Sequence, residues 1–364
     1  MFRLLVSAGG TGGGVYPALA IAAALRPKAE MRWIGGEGRL EASLVQRAGI
    51  PLDPVPAAGV HGVGLRALPG NVVRLARGAA AARRVIQRFR PDAMLFTGGY
   101  VGVPAAVAGS RIPKVLYVPD IEPGLASRLL ARMADVVAVT AEESRRFYSP
   151  RRRVVVTGYP TRPDLQPMDK PTARRALGLD PDEPVLLVYG GSLGARSINE
   201  AVWARLEDFL GLAQILHVTG DLDWPRVDAV MGSLPTELAT RYQPYSYLHE
   251  GMTRALSAAD LSVSRAGAST LGELPLFGLP AVLVPYPHAW RYQKVNADFL
   301  VQRDAAVMLE DSRLPGELLP LVRALLHDPE RLAAMSAAAR RQAVPGAAGR
   351  IAAEIERVAG GPRG

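Results

Sequence analysis

The chain has no cysteine, so a disulfide, a thiolate nucleophile and a cysteine-ligated metal are all excluded. Histidine is nearly as scarce, with five in 364 residues, and no two of them stand at metal-ligand spacing. Neither a metal nor another cofactor is expected. Aromatic residues make up only 6% of the chain. No aromatic platform or recognition-helix motif accompanies the positive charge, which argues against nucleic acid as a partner. No stretch of about 18 apolar residues runs without charge or proline, so no membrane span is expected. The opening Met1-Phe2-Arg3-Leu4-Leu5-Val6 runs into glycines where a signal peptide would have a longer apolar run and a cleavage site. A reducing cytoplasm suits the lack of cysteine.

What is present is globular: 49% hydrophobic and 21% charged residues, at a length suited to two α/β domains. The net charge of +9 is dominated by arginine. Two readings stay open, an anionic partner surface or an arginine-rich composition with no partner behind it.

Short apolar runs alternate with helical segments. Residues 2–7, 31–34, 93–96, 115–118 and 136–139 read as buried strands, with helical pattern over 17–25 and 126–133. Such alternation predicts a parallel sheet with crossover helices. Thr140-Ala141-Glu142-Glu143 has the form of a capping box opening another helix. A strand at 154–157 is followed by turn-formers from Gly158 to Pro171, which read as a linker. A second series then begins at 185–189 and continues through 215–218, 261–264, 281–284 and 305–309, with a helical tail from Glu317. The chain is thus read as α/β, with two doubly wound domains: 1–160, 161–345, and a last helix over 346–364 that could pack back on the first domain. In such sheets ligands lie outside the carboxyl ends of the strands, so two facing domains would define a cleft.

Five elements at strand ends carry the chemistry. Ala8-Gly9-Gly10-Thr11-Gly12-Gly13-Gly14 has more glycine than a tight turn requires, and backbone amides there can approach an anion. Thr97-Gly98-Gly99-Tyr100-Val101-Gly102 and Gly190-Gly191-Ser192-Leu193-Gly194-Ala195 repeat the device. Neither dinucleotide spacing nor a Walker lysine occurs, which excludes the usual nicotinamide and ATP sites. Ser264-Arg265-Ala266-Gly267-Ala268-Ser269-Thr270-Leu271-Gly272-Glu273 turns from strand to helix; amides at Ser269 and Thr270 would face phosphate, and Glu273 could accept both hydrogen bonds of a ribose diol. In the segment Pro285 to Ala297, Gln293 and Asn296 stand three apart on one helix face, suited to sugar hydroxyls, and His288 has either a structural or a catalytic role.

In this order and spacing the five elements resemble the MurG family of bacterial cell-wall glycosyltransferases, most closely at residues 9–17, 190–199 and 265–296. The resemblance implies the GT-B fold and an inverting transfer of N-acetylglucosamine from UDP-GlcNAc to a lipid-linked diphosphate acceptor, lipid I, giving lipid II of peptidoglycan. It implies a peripheral enzyme on the inner face of the cell membrane. Carried over, Arg162 and Ser192 would contact the diphosphate, and Ser269 and Thr270 would supply amides. Leu248 would present backbone to uracil, Glu273 would hold the ribose, Gln293 would read the sugar, and Asn199 would line its pocket. Gly10, Thr11, Gly12, Gly13, Gly14 and Tyr100 would belong to the acceptor side. The chain also departs from the family. Gly14 replaces the histidine of Gly-Gly-Thr-Gly-Gly-His, a favoured general-base candidate. Tyr117-Val118-Pro119-Asp120 stands where the family has His-Glu-Gln-Asn, and Tyr292-Gln293 replaces paired glutamines. Asp120 is the favoured base, with His61 and Glu122 as alternatives. Two other functions stay open: transfer to a different lipid or soluble acceptor, and nucleotide-sugar binding without turnover. A basic, partly apolar segment over 72–86 raises the prospect of contact with an anionic membrane surface, against a helix simply packed on the sheet.

Overall fold

The computed structural model describes residues 1–8, 12–36, 41–56, 68–191, 194–248, 251–288 and 291–361. The chain divides into two units, one of residues Met1–Pro163 with Val344–Gly364, the other of Asp164–Ala343.

In the first unit the elements are β1 (Phe2–Ser7), α1 (Gly12–Leu25), β2 (Ala29–Gly35), α2 (Glu41–Arg47), β3 (Leu52–Pro54), α3 (Leu68–Phe89), β4 (Ala93–Phe96), α4 (Gly102–Ala108), β5 (Lys114–Val118), α5 (Leu125–Met133), β6 (Val136–Val139) and β7 (Val154–Val156). All strands pair in parallel, in the order β3-β2-β1-β4-β5-β6-β7. Successive strand side chains point to opposite faces. Leu4, Val6, Leu95 and Val115 therefore meet Ile21 and Leu25 of α1 on one face. Leu5, Met94, Leu116 and Val137 meet Val85 and Phe89 of α3, Ala105 of α4 and Leu130 of α5 on the other.

The second unit has α6 (Lys170–Ala176), β8 (Val185–Tyr189), α7 (Arg196–Trp203), α8 (Leu206–Leu210), β9 (Gln214–Val218), α9 (Val227–Gly232), α10 (Thr236–Ala239), β10 (Tyr242–Tyr245), α11 (Met252–Ala258), β11 (Leu261–Ser264), α12 (Thr270–Phe277), β12 (Ala281–Leu283), α13 (Tyr292–Val301), β13 (Ala306–Met308), α14 (Leu314–Leu326) and α15 (Pro329–Arg341). Its parallel sheet runs β10-β9-β8-β11-β12-β13. Both sheets reverse direction once, between β1 and β4 and between β8 and β11. At such switch points doubly wound sheets bind ligands.

The last helix, α16 (Ala347–Ala359), returns to the first unit. Gly346 opens it at φ 76°, a left-handed conformation suited to glycine. Ile351 and Ile355 are fully buried in the core beside α1, each stabilising that union by about 1.5–3 kcal/mol. Lys28–Glu356 at 2.8 Å and Arg153–Glu354 at 2.7 Å frame it on the surface.

The capping box read at Thr140 does not form. Thr140 Oγ1 donates to Pro119 O at 2.7 Å and lies 2.8 Å from the Tyr117 hydroxyl. A short 3-10 helix, Glu142–Phe147, starts instead from Ala141 without a side-chain cap. The segment over 72–86 lies within α3, where Ala82, Val85 and Phe89 face the core and Arg74, Arg77, Arg83, Arg84 and Arg88 face outward. Gly78 allows the close approach of α3 to Pro56 O, where a Cβ would sit 2.3 Å from that oxygen.

Candidate functional site

In the second unit, β8 ends at the glycine turn before α7. Gly191 and Gly194 have φ of 86° and 75°. A Cβ on Gly190 would lie 2.2 Å from Ala195 N, and one on Gly194 2.3 Å from Thr219 O. The turn thus folds back on itself and on the end of β9, at a closeness only glycine permits. Ser192 lies outside the described residues.

Across the switch point, the turn after β11 is built around Arg265. Its guanidinium pairs with Asp311, donates to Ser197 Oγ at 2.8 Å, and lies 5.2 Å from the Tyr286 ring centre. Ser197 Oγ donates to Asp311 Oδ1 at 2.7 Å. One side chain, 10% exposed, so joins the starts of α7 and α12 to the ends of β12 and β13. The sequence reading quoted Arg265 but gave it no role. Thr270 corrects that reading. Its amide donates to Gly267 O at 3.0 Å, and its hydroxyl to the same oxygen at 2.7 Å. The amides at the mouth of the turn are those of Gly267, Ala268 and Ser269, for which no described residue supplies an acceptor. They stand at the positive end of α12. Glu273 lies one helical turn in, half-buried, with its amide on Ser269 O at 2.8 Å. Burial first, then the charge of Glu273, pushes the Tyr189 phenol up.

Gln293, in the first turn of α13, accepts from Tyr286 N–H at 2.8 Å through Oε1. This bond orients the carboxamide, with its NH2 group at the other end. Asn296 is fully buried and donates to Ala266 O at 3.2 Å. It ties α13 to the Arg265 turn. His288 is exposed and packs edge-on against Tyr286, ring centres 5.4 Å apart. Leu248 is half-buried beyond β10, with Cδ2 2.9 Å from where a Cβ on Gly251 would stand.

Asn199 is placed otherwise than the resemblance implies. It is 1% exposed. Its NH2 donates to Thr219 O and to Asp223 Oδ2, both at 2.8 Å, and its Oδ1 faces His217 Nε2 at 2.9 Å. Both N–H bonds are spent inside the unit, so the side chain holds the turn and has no donor left for a sugar. The sequence reading missed His217 altogether. Its only signal was a lone histidine inside an apolar strand.

In the first unit Gly12, Gly13 and Gly14 form the opening turn of α1, while Gly9, Gly10 and Thr11 lie outside the described residues. Thr97 Oγ1 donates to Gly14 O at 2.7 Å, fastening the two glycine elements of the β1/β4 switch point together. Gly98 and Gly99 have φ of 99° and 82°, and half-buried Tyr100 follows them into α4. The guanidinium of Arg162 lies 5.1 Å from the ring centre of Tyr16 on α1. The division into units puts it in the first, just ahead of the boundary.

Of the base candidates, His61 lies outside the described residues. Glu122 is 3% exposed and pairs with Arg128 at 3.0 Å. Asp120 is partly exposed, two residues beyond β5 at its carboxyl end.

Comparison with known proteins follows the same architecture. Residues 4–139 match the Glycosyltransferase family 28 N-terminal domain, and residues 185–351 the Glycosyltransferase family 28 C-terminal domain. The UDP-N-acetylglucosamine–N-acetylmuramyl-(pentapeptide) pyrophosphoryl-undecaprenol N-acetylglucosamine transferase of Roseiflexus sp. (strain RS-1) is 42% identical, over 97% of this chain and 94% of that one. The enzyme of the same name from Moorella thermoacetica is 39% identical, over 95% and 96%. The crystal structure of Acinetobacter baumannii MurG superposes with a TM-score of 0.76 at 28% identity, covering 98% of this chain and 99% of that one. With two parallel switch-point sheets, their glycine turns and this likeness along nearly its whole length, the chain belongs to glycosyltransferase family 28 and, within it, to the MurG family.

Proposed function

We propose that the chain transfers N-acetylglucosamine from UDP-N-acetylglucosamine to the lipid-linked N-acetylmuramyl-(pentapeptide) diphosphate acceptor, with inversion. The observation that carries the donor half is the β8/β11 switch point. There β8 and β11 pair side by side, the amides of Gly267, Ala268 and Ser269 follow the carboxyl end of β11, Gly190 and Gly191 follow that of β8, and Glu273 stands one turn into α12. In this reading the amides and the helix end take the diphosphate, Glu273 takes the ribose hydroxyls, and the NH2 of Gln293 takes a sugar hydroxyl. Ser192, Arg162 and Leu248 keep the diphosphate and uracil roles that the resemblance implies. Gly10, Thr11 and Tyr100, with Gly12, Gly13 and Gly14, serve the acceptor side. A base removes the acceptor proton as its oxygen forms the new bond to the sugar. The bond from the sugar to the β-phosphate breaks, and UDP leaves with the electron pair, stabilised by fixed amide dipoles.

Turnover on UDP-N-acetylglucosamine with lipid I, against other UDP-sugars and acceptors, tests the assignment. Efficient transfer to a different acceptor, or binding without turnover, would overturn the acceptor half. Glu273→Ala should weaken UDP binding by about 1–3 kcal/mol, the scale of a hydrogen bond to a charged group. Unchanged affinity by calorimetry in a folded variant would remove the ribose role.

The reading extends to the inner face of the membrane. Helices α3, α4 and α5 lie on one side of the first sheet. That side presents the five arginines of α3, together with the exposed apolar side chains of Val107 on α4 and of Leu125 and Leu129 on α5. Basic and apolar groups together suit an anionic lipid surface. The apolar contribution comes from α4 and α5, because the apolar face of α3 is spent on the core. No described helix is long and apolar enough to cross a membrane. Flotation with anionic vesicles should show binding at low salt that fades at high salt. Absence of binding, or equal binding to neutral vesicles, would refute it.

A further inference from the structure

Beneath the Gly190–Gly194 turn lies a buried chain of hydrogen bonds whose direction can be assigned. It starts on α7, where Trp203 Nε1–H, which can only donate, gives its proton to the Tyr242 hydroxyl at 2.8 Å. The hydroxyl has one proton of its own, and the remaining partner is His217 Nδ1 at 2.9 Å. The imidazole therefore accepts at Nδ1 and carries its proton on Nε2, from which it donates to Asn199 Oδ1 at 2.9 Å. Asn199 sends its two N–H bonds to Thr219 O and Asp223 Oδ2. Asp223, 3% exposed, takes Arg196 Nε at 3.1 Å on its other oxygen. Asn199 and Trp203 are one helical turn apart on α7, so the chain leaves that helix, crosses β10 and β9, and returns to it. His217, at the centre, is fully buried, and every polar atom of its ring is used.

The chain ends on the atom that shapes the turn. Thr219 O, which accepts from Asn199, is the oxygen against which Gly194 packs, so closely that a Cβ would stand 2.3 Å from it. Movement of that carbonyl, or rotation of α7, is therefore felt directly at Gly194 and Ala195. An apolar core would fill the same space without needing any of these bonds. A fully satisfied polar chain adds a single allowed orientation of each member.

We propose that His217 is a positioning residue for donor binding: through Asn199 and Thr219 O it holds Gly194 and the start of α7 in the place that receives the donor diphosphate. The proposal rests on the reading of the glycine turn before α7 as a diphosphate site, and the test separates the two. Binding of UDP and of uridine is measured by calorimetry on the full-length protein, at a temperature where each variant is folded by circular dichroism. In the wild type UDP should bind more tightly than uridine. Equal binding would overturn the reading of the turn, and the proposal with it. In His217→Leu, which strands Asn199 Oδ1 and the Tyr242 proton, the advantage of UDP over uridine should shrink roughly tenfold while uridine binding stays. The KM for the UDP-sugar should rise more than kcat falls. His217→Gln, which can both accept and donate, should restore most of the advantage. Tyr242→Phe removes one link without opening the core, and should lower the advantage about threefold, a smaller share of the same loss. It keeps the test decisive if His217→Leu does not fold. A UDP advantage unchanged in either folded variant, however far the melting temperature falls, would show that the chain only supports the core and would overturn the proposal.

Discussion

Asp120→Asn should slow turnover about 10²–10⁴-fold, the usual effect of removing a general base, and leave UDP affinity at the wild-type level. The position supports the role. Asp120 stands at the carboxyl end of β5, the edge at which doubly wound sheets do their chemistry. Its neighbours are held on both sides. Pro119 O accepts from Thr140 Oγ1 at 2.7 Å, Ile121 is 1% exposed, and Pro123 O accepts from Arg128 Nε at 3.1 Å. A carboxylate on so stiff a turn keeps one position, which proton abstraction requires. UDP affinity should persist because the proposed ribose and amide contacts all come from the second unit. Two matched variants sharpen the result. Glu122→Gln should act mainly on stability, because Glu122 is buried and pairs with Arg128 at 3.0 Å, and the substitution replaces that ion pair by a neutral contact. His61→Ala tests the remaining candidate. Normal turnover by Asp120→Asn together with an inactive His61→Ala would transfer the role to the histidine. Three active variants would mean that the base is a group outside this set.

Acid should destabilise the second unit through His217 by up to about 5 kcal/mol between pH 6.5 and pH 3. Burial, opposed by the charge of Asp223, lowers the imidazole from 6.5 to about 3. The charged groups around it are Asp223 with its partners Arg196 and Arg226, the latter also 5.0 Å from the Trp203 ring centre. Tyr242 and Asn199 are its neutral neighbours. The unfolded chain takes up a proton below about 6.5 and the folded chain only below about 3. Across that window the unfolded state binds more protons, so the contribution is complete above the window and lost as pH falls through it. Urea unfolding of wild type and His217→Gln at several pH values isolates this group, since the other titrating side chains are common to both. The wild type should lose more stability on acidification than the variant. Parallel pH profiles would show that His217 does not remain neutral in the folded state.

Most of the fold was legible because its strands are local signals. Leu4-Leu5-Val6, Val115-Leu116-Tyr117-Val118 and Val185-Leu186-Leu187-Val188 are buried on both faces, and such strands have to be apolar at every position. The strands that escaped notice were β3 and β10, which contain Pro54 and Pro244. Each is the outermost strand of its sheet, where one side needs no ladder hydrogen bonds, so proline is tolerated and no apolar run is required.

The sequence by itself therefore determined where the chain must bury itself and where it must turn: the branched strand runs, the glycines at strand ends, and Glu273 one turn beyond a small-residue bend. These depend on residues a few positions apart. The tertiary structure alone decided which polar groups are free to meet a ligand. Asn199 resembles a sugar contact until His217, Thr219 and Asp223 take up its amide, and the amide of Thr270 suits a phosphate until Gly267 O receives it. Glu122 is a candidate base until Arg128 closes on it, and Thr140 a cap until Pro119 O draws its hydroxyl away. A buried donor or acceptor must find a partner wherever the fold supplies one, and most of these partners stand on other elements, often far along the chain.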